Sequence, residues 1–373
     1  MHGRNESALP MRSAERQERE IESDGPFRRA TIILMALVLT VASAACANAA
    51  FEGPPIDDAS PTRPSDLPME PTVTTVEIGH GGGIDVEVGE GGVWVTTRDG
   101  LVELDPATNA IVQDIPFEGA FDLDIGSGSI WVTNTYVGVL ARIDPASGAM
   151  LETFDFRTIT PYCVDAASEA VWVTGSGDDG GDVVRIDPET NEIVARIHVG
   201  PGEGAGGIGC VVADDQAVWI TRGGKHDSLI RIDPTTNEII ATINISNWDY
   251  WNEMALEGGS LWVAAGPHVT LADGTGTSEV QVLRIDRNTN EVWPPIIVGH
   301  GMFGLGSGDG SLWVYDGFTD GLTQIDASTG AIVRQVDIHD GGSSWGGDPG
   351  IDAADGTVWM AGTSSLNRID LAS

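Results

Sequence analysis

Short apolar segments separated by turns rich in Gly, Asp and Asn follow one another from residue 72 to the end of the chain, without helical periodicity. Seven of these segments contain an apolar-Trp-apolar triplet, centred on Trp94, Trp131, Trp172, Trp219, Trp262, Trp313 and Trp359. The triplets recur every 37 to 51 residues. This spacing predicts an all-β fold, a seven-bladed β-propeller whose blades are small four-stranded sheets.

The second repeat shows the four predicted strands most clearly, at residues 121–125, 130–133, 139–144 and 149–156. A Leu-Asp or Ile-Asp pair follows every Trp triplet and opens the link between the third and fourth strands, as in Asp105-Pro-Ala-Thr-Asn109. An Asp carboxylate accepts hydrogen bonds from turn amides, and Pro presets φ for the next position. We expect the closing Asn or Gly to adopt the left-handed conformation.

The seventh repeat has no fourth strand of its own, because the chain ends three residues after Ile369-Asp370. The segment Thr72 to Ile78, which precedes the first repeat, has the alternation of a strand. We therefore predict that it completes the last blade and closes the ring, which removes unpaired sheet edges.

The chain before the repeats has the composition of an export region. Residues 1–50 combine Arg28-Arg29 with an uncharged run from Thr31 to Ala45, which is typical of an export signal. Residues 51–70 are rich in Pro and Asp and are expected to form a flexible spacer. The propeller is therefore assigned to residues 71–373. Three interpretations stay open: a lipoprotein lipidated at Cys46, a secreted protein cleaved after Ala47-Asn-Ala49, or an uncleaved anchor of about 20 residues. Each of them places the propeller outside the cytoplasm, in the cell envelope or secreted.

Charge narrows the set of partners. The first 50 residues hold six acids and six Arg, so the net charge of -37 belongs to the rest of the chain, with 50 acids and 13 bases. Such an acidic surface repels nucleic acids and anionic membranes, so we expect membrane contact only through the N-terminal lipid or anchor. Repulsion between two acidic copies also favours a monomer. Five of the few bases are expected to be structural because each precedes an Ile-Asp pair: Arg142, Arg185, Arg231, Arg284 and Arg368.

Two cysteines occupy equivalent places in adjacent repeats, since Cys163 and Cys210 each stand nine residues before their Trp. Innermost strands converge on the propeller axis, and an exported protein meets oxidising conditions. The pair therefore forms either a disulfide or two buried thiols packed as small apolar groups.

Aromatic residues that the repeat does not require mark a candidate binding surface. In a propeller, the loops before the first strand and after the second emerge on one face, around the central channel. Six aromatic residues fall there and are candidates for stacking against a protein, glycan or small-molecule ligand, or for sealing the channel: Tyr162, Trp248, Tyr250, Trp251, Phe303 and Trp345.

Carboxylates on the predicted innermost strands form a second set. Asp85, Asp122 and Glu253 stand nine residues before a Trp, and four more acids stand seven before: Glu87, Asp124, Asp165 and Asp352. Near the axis they could share Mg²⁺ or Ca²⁺, or they could bind backbone amides of neighbouring blades. No His-Glu-x-x-His, Gly-x-Ser-x-Gly or Gly-Lys-Ser motif is present.

The repeats, with Val132-Thr-Asn134 and Ile239-Ile-Ala-Thr-Ile243, resemble YVTN and NHL-like propellers and also the virginiamycin B lyase (streptogramin lyase) group. The first resemblance implies a binding or surface protein. The second implies a Mg²⁺-dependent elimination that opens a cyclic depsipeptide at its ester, with His300 as the base and Asp316 in place of the metal-binding Glu. No repeat has Glu directly after its Trp triplet.

Three functions follow for this exported propeller: a binding module that uses the aromatic face, a metal-dependent lyase that uses His300, or a structural protein of the cell surface.

Overall fold

The computed structural model describes residues 70–371 except 81, 167–168, 179, 201–206, 224–227, 246–252, 266–267, 271–275, 301–302, 339–348 and 363–364. The fold is a seven-bladed β-propeller, as the sequence predicts. The described residues are all-β, and none of them belongs to a helix that could span a membrane.

Each blade is an antiparallel sheet whose strands are named a to d, from the channel outward. Blade one contains Gly83–Gly89, Gly92–Thr97, Gly100–Leu104 and Ile111–Pro116. Blade two contains Ala120–Gly126, Ser129–Asn134, Val139–Ile143 and Met150–Asp155. Blade three contains Thr160–Asp165, Val171–Gly177, Gly180–Asp187 and Glu192–Gly200, and blade four contains Ile208–Ala213, Val218–Arg222, Ser228–Asp233 and Glu238–Asn244.

The remaining blades follow the same order. Blade five contains Met254–Glu257, Ser260–Ala265, Gly276–Asp286 and Ile296–His300, with a short additional strand, His268–Thr270, beside strand c. Blade six contains Phe303–Gly308, Ser311–Asp316, Gly321–Asp326 and Ile332–Asp337. Blade seven contains Ile351–Ala354, Thr357–Ala361 and Leu366–Asp370, and its strand d is Thr72–Val76.

The closing strand therefore comes from the beginning of the propeller. Thr72 pairs with Asp370 and Val76 pairs with Leu366 in an antiparallel ladder. Val76 and Ile78 are buried beside Trp359 in a core that also contains residues of blade one. The ring is thus tied by hydrogen bonds and by apolar packing at the same point.

The seven repeated tryptophans hold the blades together. Each is at most 1% exposed and belongs to a core cluster between neighbouring blades. The five predicted structural arginines lie over five of these rings, at 5.0 to 5.3 Å from the ring centroid. Burial of the large ring and a cation above it stabilise each of these contacts.

The same arginines reach the next blade. Arg142 Nη1 donates to the carbonyl of Pro188 and to Asn191 Oδ1, at 2.7 Å, in the turn between strands c and d of blade three. Arg368 makes the equivalent bonds to Pro106 and Asn109 across the closure of the ring. The turns are therefore a link between blades as well as a connection within one.

The turns themselves have the predicted geometry. Asp105 Oδ1 accepts hydrogen bonds from the amides of Ala107 and Thr108. The residues that close the turns have positive φ, between 59° and 74°: Asn109, Gly148, Asn191, Asn237, Asn290 and Gly330. An Asn or Gly closes these turns because other side chains are strained in that conformation.

Candidate functional site

The entrance face is defined here as the face that carries the connections from strand d to the next strand a and the turns between strands b and c. The turn face is the opposite face, with the turns between a and b and between c and d. Strand a of every blade contacts strand a of the next, in a closed cycle around the channel. The channel encloses about 280 Å³.

Carboxylates of strand a line this channel, and they are engaged with neighbouring blades. Asp85 Oδ2 accepts a hydrogen bond from the amide of Leu123 at 3.0 Å, and Asp122 Oδ2 accepts one from Val164 at 2.7 Å. Four further pairs have the same arrangement: Asp124 with Ala166, Asp165 with Ala213, Glu253 with Leu305, and Asp352 with Val88. The inner strands are thus joined from blade to blade by carboxylate-amide hydrogen bonds.

Strand a places these side chains through a local irregularity. In blades one to four the register between strands a and b shifts where the acid or Cys lies, as between Ala120 and Leu123 in blade two. Such a bulge redirects side chains. Beside it, Thr133 Oγ1 accepts from the amide of Asp122 at 3.2 Å and donates to the carbonyl of Tyr162 at 2.8 Å. The Thr of the Trp-Val-Thr sequence is therefore another link between blades.

Enclosure changes the protonation of the channel acids. Removal from bulk water raises the pKa of Asp85 to about 7 and that of Asp124 to about 6, against the lowering effect of their backbone hydrogen bonds. The same cause raises the pKa of Glu87 and Asp122 well above the usual range, and neighbouring carboxylates add to it. Burial likewise raises the pKa of Asp352, against the lowering effect of its hydrogen bonds from the amides of Val88 and Ala353.

The metal candidates Asp85, Asp122 and Glu253 all line the channel, and each accepts an amide of the next blade. Within the described ranges, no group of three or more His, Cys, Asp or Glu side chains has an arrangement that could hold a metal ion. One oxygen of each of these carboxylates joins two blades, which is one of the two roles that the sequence leaves open.

Blades three and four have a covalent link at the equivalent position. Cys163 and Cys210 form a disulfide, with their Cα atoms 5.0 Å apart, and both line the channel. The disulfide stands where Asp85 and Asp122 make their carboxylate-amide bonds in blades one and two. One position of strand a therefore carries either type of link.

Blades six and seven have Gly at this position, and the strands come closer there. A Cβ on Gly350 would collide with Asp85 Oδ1, and one on Gly304 would collide with the carbonyl of Pro349. At this position of strand a, close backbone approach takes the place of the side-chain link, and the Gly350 amide donates to the carbonyl of Ile84 at 3.1 Å.

The predicted aromatic surface is described in part. Tyr162 lies at the entrance to the channel, half-buried, and its ring packs against Phe121 with centroids 5.0 Å apart and planes tilted by 41°. Phe303 begins strand a of blade six, and its side chain lies outside the described part of the structure. Trp248, Tyr250, Trp251 and Trp345 also lie outside the described residues, as does Cys46.

Two exposed aromatic residues on the same face were not selected from the sequence. Tyr136 is 86% exposed and Phe318 is 77% exposed, in the b–c turns of blades two and six. Asn134 Oδ1 accepts from the amide of Tyr136 at 3.1 Å, and Asp316 Oδ1 accepts from that of Phe318 at 2.9 Å. Both turns share a sequence signal. An Asn or Asp ends strand b, and an aromatic residue follows it two positions later.

The structure brings His300 and Asp316 close together. His300 is the exposed last residue of strand d in blade five, and its amide donates to Asp316 Oδ2 at 3.3 Å. Asp316 is only 5% exposed, and its carboxylate also accepts from Phe318 and from Thr319 Oγ1. The Asp316 carboxylate therefore organises the turn that holds Phe318.

No protein-family model matches the chain, and no curated protein does. Solved structures with the same fold include Kuenenia stuttgartiensis hydrazine synthase, with a TM-score of 0.62 and 12% identity over 80% of this chain and 98% of that one. Virginiamycin B lyase from Staphylococcus aureus has a TM-score of 0.61 and 16% identity over 81% of this chain and 100% of its own. A catalytically inactive His-to-Ala form of that lyase with quinupristin has a TM-score of 0.59, also at 16% identity, over 81% of this chain and all of its own.

The structural neighbours are thus seven-bladed propellers of the streptogramin lyase type, together with propellers of other kinds. At these identities the likeness establishes the fold, which hosts unrelated functions.

Proposed function

We propose that this protein is an exported or lipid-anchored propeller that binds a protein, glycan or small molecule through aromatic residues of its entrance face. The observation that carries the proposal is the exposure of Tyr136 and Phe318, the two most exposed aromatic side chains of the described residues, on this face. Tyr162 and Phe121 add an aromatic pair at the channel entrance of the same face.

Exposed rings on short turns suit recognition. Aromatic side chains provide a large contact area at small cost in conformational entropy, and they are enriched in the centres of protein interfaces. Both turns are held by hydrogen bonds from the backbone to Asn134 or Asp316, so the rings are presented by ordered segments. Ordering before binding reduces the entropic cost of association.

The channel chemistry supports binding in preference to catalysis. Its carboxylates accept backbone amides of the next blade, and its two cysteines are joined to each other. These groups stabilise the ring, which leaves the outer part of the entrance face for ligands.

A peptide and glycan array tests this function directly. We expect the purified propeller to bind a subset of array ligands, and a Tyr136→Ala/Phe318→Ala double variant or a Tyr162→Ala variant to lose that signal. Trp293→Ala is the matched control, because Trp293 is 41% exposed but lies at the outer edge of blade five, over Arg284. Equal and weak signals for all four proteins would refute the proposal.

The location of the protein has its own test. If Cys46 is lipidated, the Cys46→Ala protein moves from the membrane fraction to the medium or the soluble envelope fraction. Recovery of both forms in the cytoplasm would contradict an exported propeller.

A lyase is the second candidate, because the backbone amide of His300 donates to the Asp316 carboxylate and the two residues are therefore neighbours on the entrance face. In this function the His300 imidazole takes a proton from the substrate carbon next to the C–O bond, a C=C bond forms, and the ester C–O bond breaks with the carboxylate as the leaving group. A cyclic depsipeptide opened with Mg²⁺ by wild type but not by His300→Ala would support it. No opening by wild type would exclude that substrate class.

A further inference from the structure

A groove of about 1020 Å³ lies on the entrance face between blades two and three. One wall is the b–c turn of blade two, residues 135–138, and the other is the b–c hairpin of blade three around Asp178. The floor is the connection 155–160, which runs from the outermost strand of blade two to the innermost strand of blade three. The groove therefore follows the connection from the outer edge of blade two to the start of strand a of blade three.

Tyr136 gives this groove an aromatic wall. Its ring lies against Gly119, where a Cβ would be only 2.8 Å from Tyr136 Cδ2. Gly119 has a φ of +84°, so the position favours glycine for both conformation and space. The ring is supported by Gly119 and is still 86% exposed, so it is available for stacking.

The charges around the groove are mostly negative. Asp155 pairs with Arg157, with Oδ2 and Nε 3.7 Å apart, and Asp182 pairs with His198 at 2.9 Å. Asp178 is exposed, and no hydrogen bond or ion pair joins it to another described residue. The propeller around the groove has 50 acids against 13 bases, so a cation is attracted and an anion repelled.

We propose that this groove binds a basic peptide segment, with the cation of one Lys or Arg side chain over the Tyr136 ring and a second cation paired with Asp178 on the opposite wall. Each contact is favourable by itself, and the two together set the register of the peptide. The groove is as large as the larger ligand pockets of proteins, which gives room for several residues. This inference rests on the proposed function and specifies its ligand.

Fluorescence anisotropy with the whole exported chain tests the proposal. The probes are the fluorescein-labelled peptides Gly-Lys-Gly-Lys-Gly and Gly-Gln-Gly-Gln-Gly, with a neutral chitin disaccharide as competitor. We expect the Lys peptide to bind more tightly than the Gln peptide, to weaken with added salt, and to remain bound in the presence of the disaccharide.

Variants separate groove binding from general attraction to an acidic protein. Tyr136→Ala and Asp178→Asn are each expected to raise the Kd about two- to fivefold, the usual range for one exposed cation-π contact or ion pair. Tyr136→Phe keeps the ring and should keep the affinity. Arg157→Gln removes a competing positive charge and should lower the Kd, which a purely structural role for Arg157 would not do.

Trp293→Ala is the control, because Trp293 is 41% exposed but lies at the outer edge of blade five and does not line the groove. Its Kd should equal that of wild type. A Lys peptide whose affinity is the same in all variants, or displacement by the disaccharide, would overturn the groove proposal. If an array ligand loses binding in Tyr162→Ala but not in Tyr136→Ala or Asp178→Asn, the groove proposal is wrong and the proposed function is still supported.

Discussion

The turn face and the entrance face of this propeller are built by different rules. On the turn face, the Asp-Pro turns repeat nearly unchanged, and arginines of one blade bind the turn of the next, as Arg142 binds Asn191. On the entrance face the connections differ in length and composition from blade to blade, and Tyr136 and Phe318 stand exposed there. Regular sequence therefore marks the contacts that hold the ring, whereas departures from the repeat mark the surface that we propose for binding.

The closure of blade seven should be the strongest single determinant of stability. Deletion of residues 72–78 removes strand d of blade seven and the buried Val76 and Ile78. Burial of two such side chains contributes roughly 3–6 kcal/mol, before the lost ladder is counted. We expect a large drop in Tm, measured by thermal denaturation. Deletion of residues 51–69 is the control, and an unchanged melting curve for the 72–78 deletion would contradict this account.

Reduction of Cys163–Cys210 should have the next largest effect. A disulfide that closes a loop of 47 residues stabilises by about 4 kcal/mol when its main effect is on the unfolded chain. The oxidised protein should therefore melt at a higher temperature than the reduced protein. Mass spectrometry with and without reductant should show a two-proton difference, and equal masses would exclude the bridge.

The arginines of the turn face should matter more than those of the entrance face. Arg142→Ala removes two hydrogen bonds to blade three and the cation over Trp131, which together contribute about 2 kcal/mol. Arg157→Ala, at an exposed residue of the entrance face, should change the free energy of unfolding by less than about 0.5 kcal/mol. Urea denaturation measures both, and equal losses would remove the distinction between the faces.

Aspartates of the turn face and aspartates of the channel are expected to respond to pH in opposite ways. Hydrogen bonds from Ser328 and Thr329 lower the pKa of Asp326, on the turn face, to about 2, whereas enclosure raises the pKa of Asp85 to about 7. A raised carboxyl pKa means that the folded state holds its proton more tightly than the unfolded state. The stabilisation of the folded state by the proton on Asp85 is complete below about pH 4 and is lost as pH rises through 6 to 7. The contribution of Asp326 is lost only as pH falls toward 2.

We therefore expect Tm to decrease from pH 5 to pH 8. The raised pKa of His80, which results from its hydrogen bonds to Asp99 and Asp114, acts in the same direction. Asp85→Asn keeps an acceptor oxygen for Leu123 and cannot ionise, so its Tm at pH 8 should exceed that of wild type and its pH dependence should be weaker. Asp326→Asn should leave the profile between pH 5 and 8 unchanged. A steeper profile for Asp85→Asn would refute this account.

The sequence by itself determined the blade count, the strands, the left-handed residues of the turns and the closing strand. These features depend on local periodicity and on residue types with narrow conformational preferences, such as the Asn and Gly at positive φ. It also indicated the structural role of the arginines, because they recur with the turn that they bind.

Only the tertiary structure showed what the channel acids contact. A carboxylate nine residues before a Trp has no amide partner that its own repeat specifies, and the position of the next blade supplies one to Asp85 and Asp122. The structure likewise gave the groove, because Tyr136 and Asp178 are 42 residues apart in the chain and line one groove through the packing of two blades. Local patterns specify a strand, but the neighbours of its side chains are set when blades pack side by side, which is a long-range property of the ring.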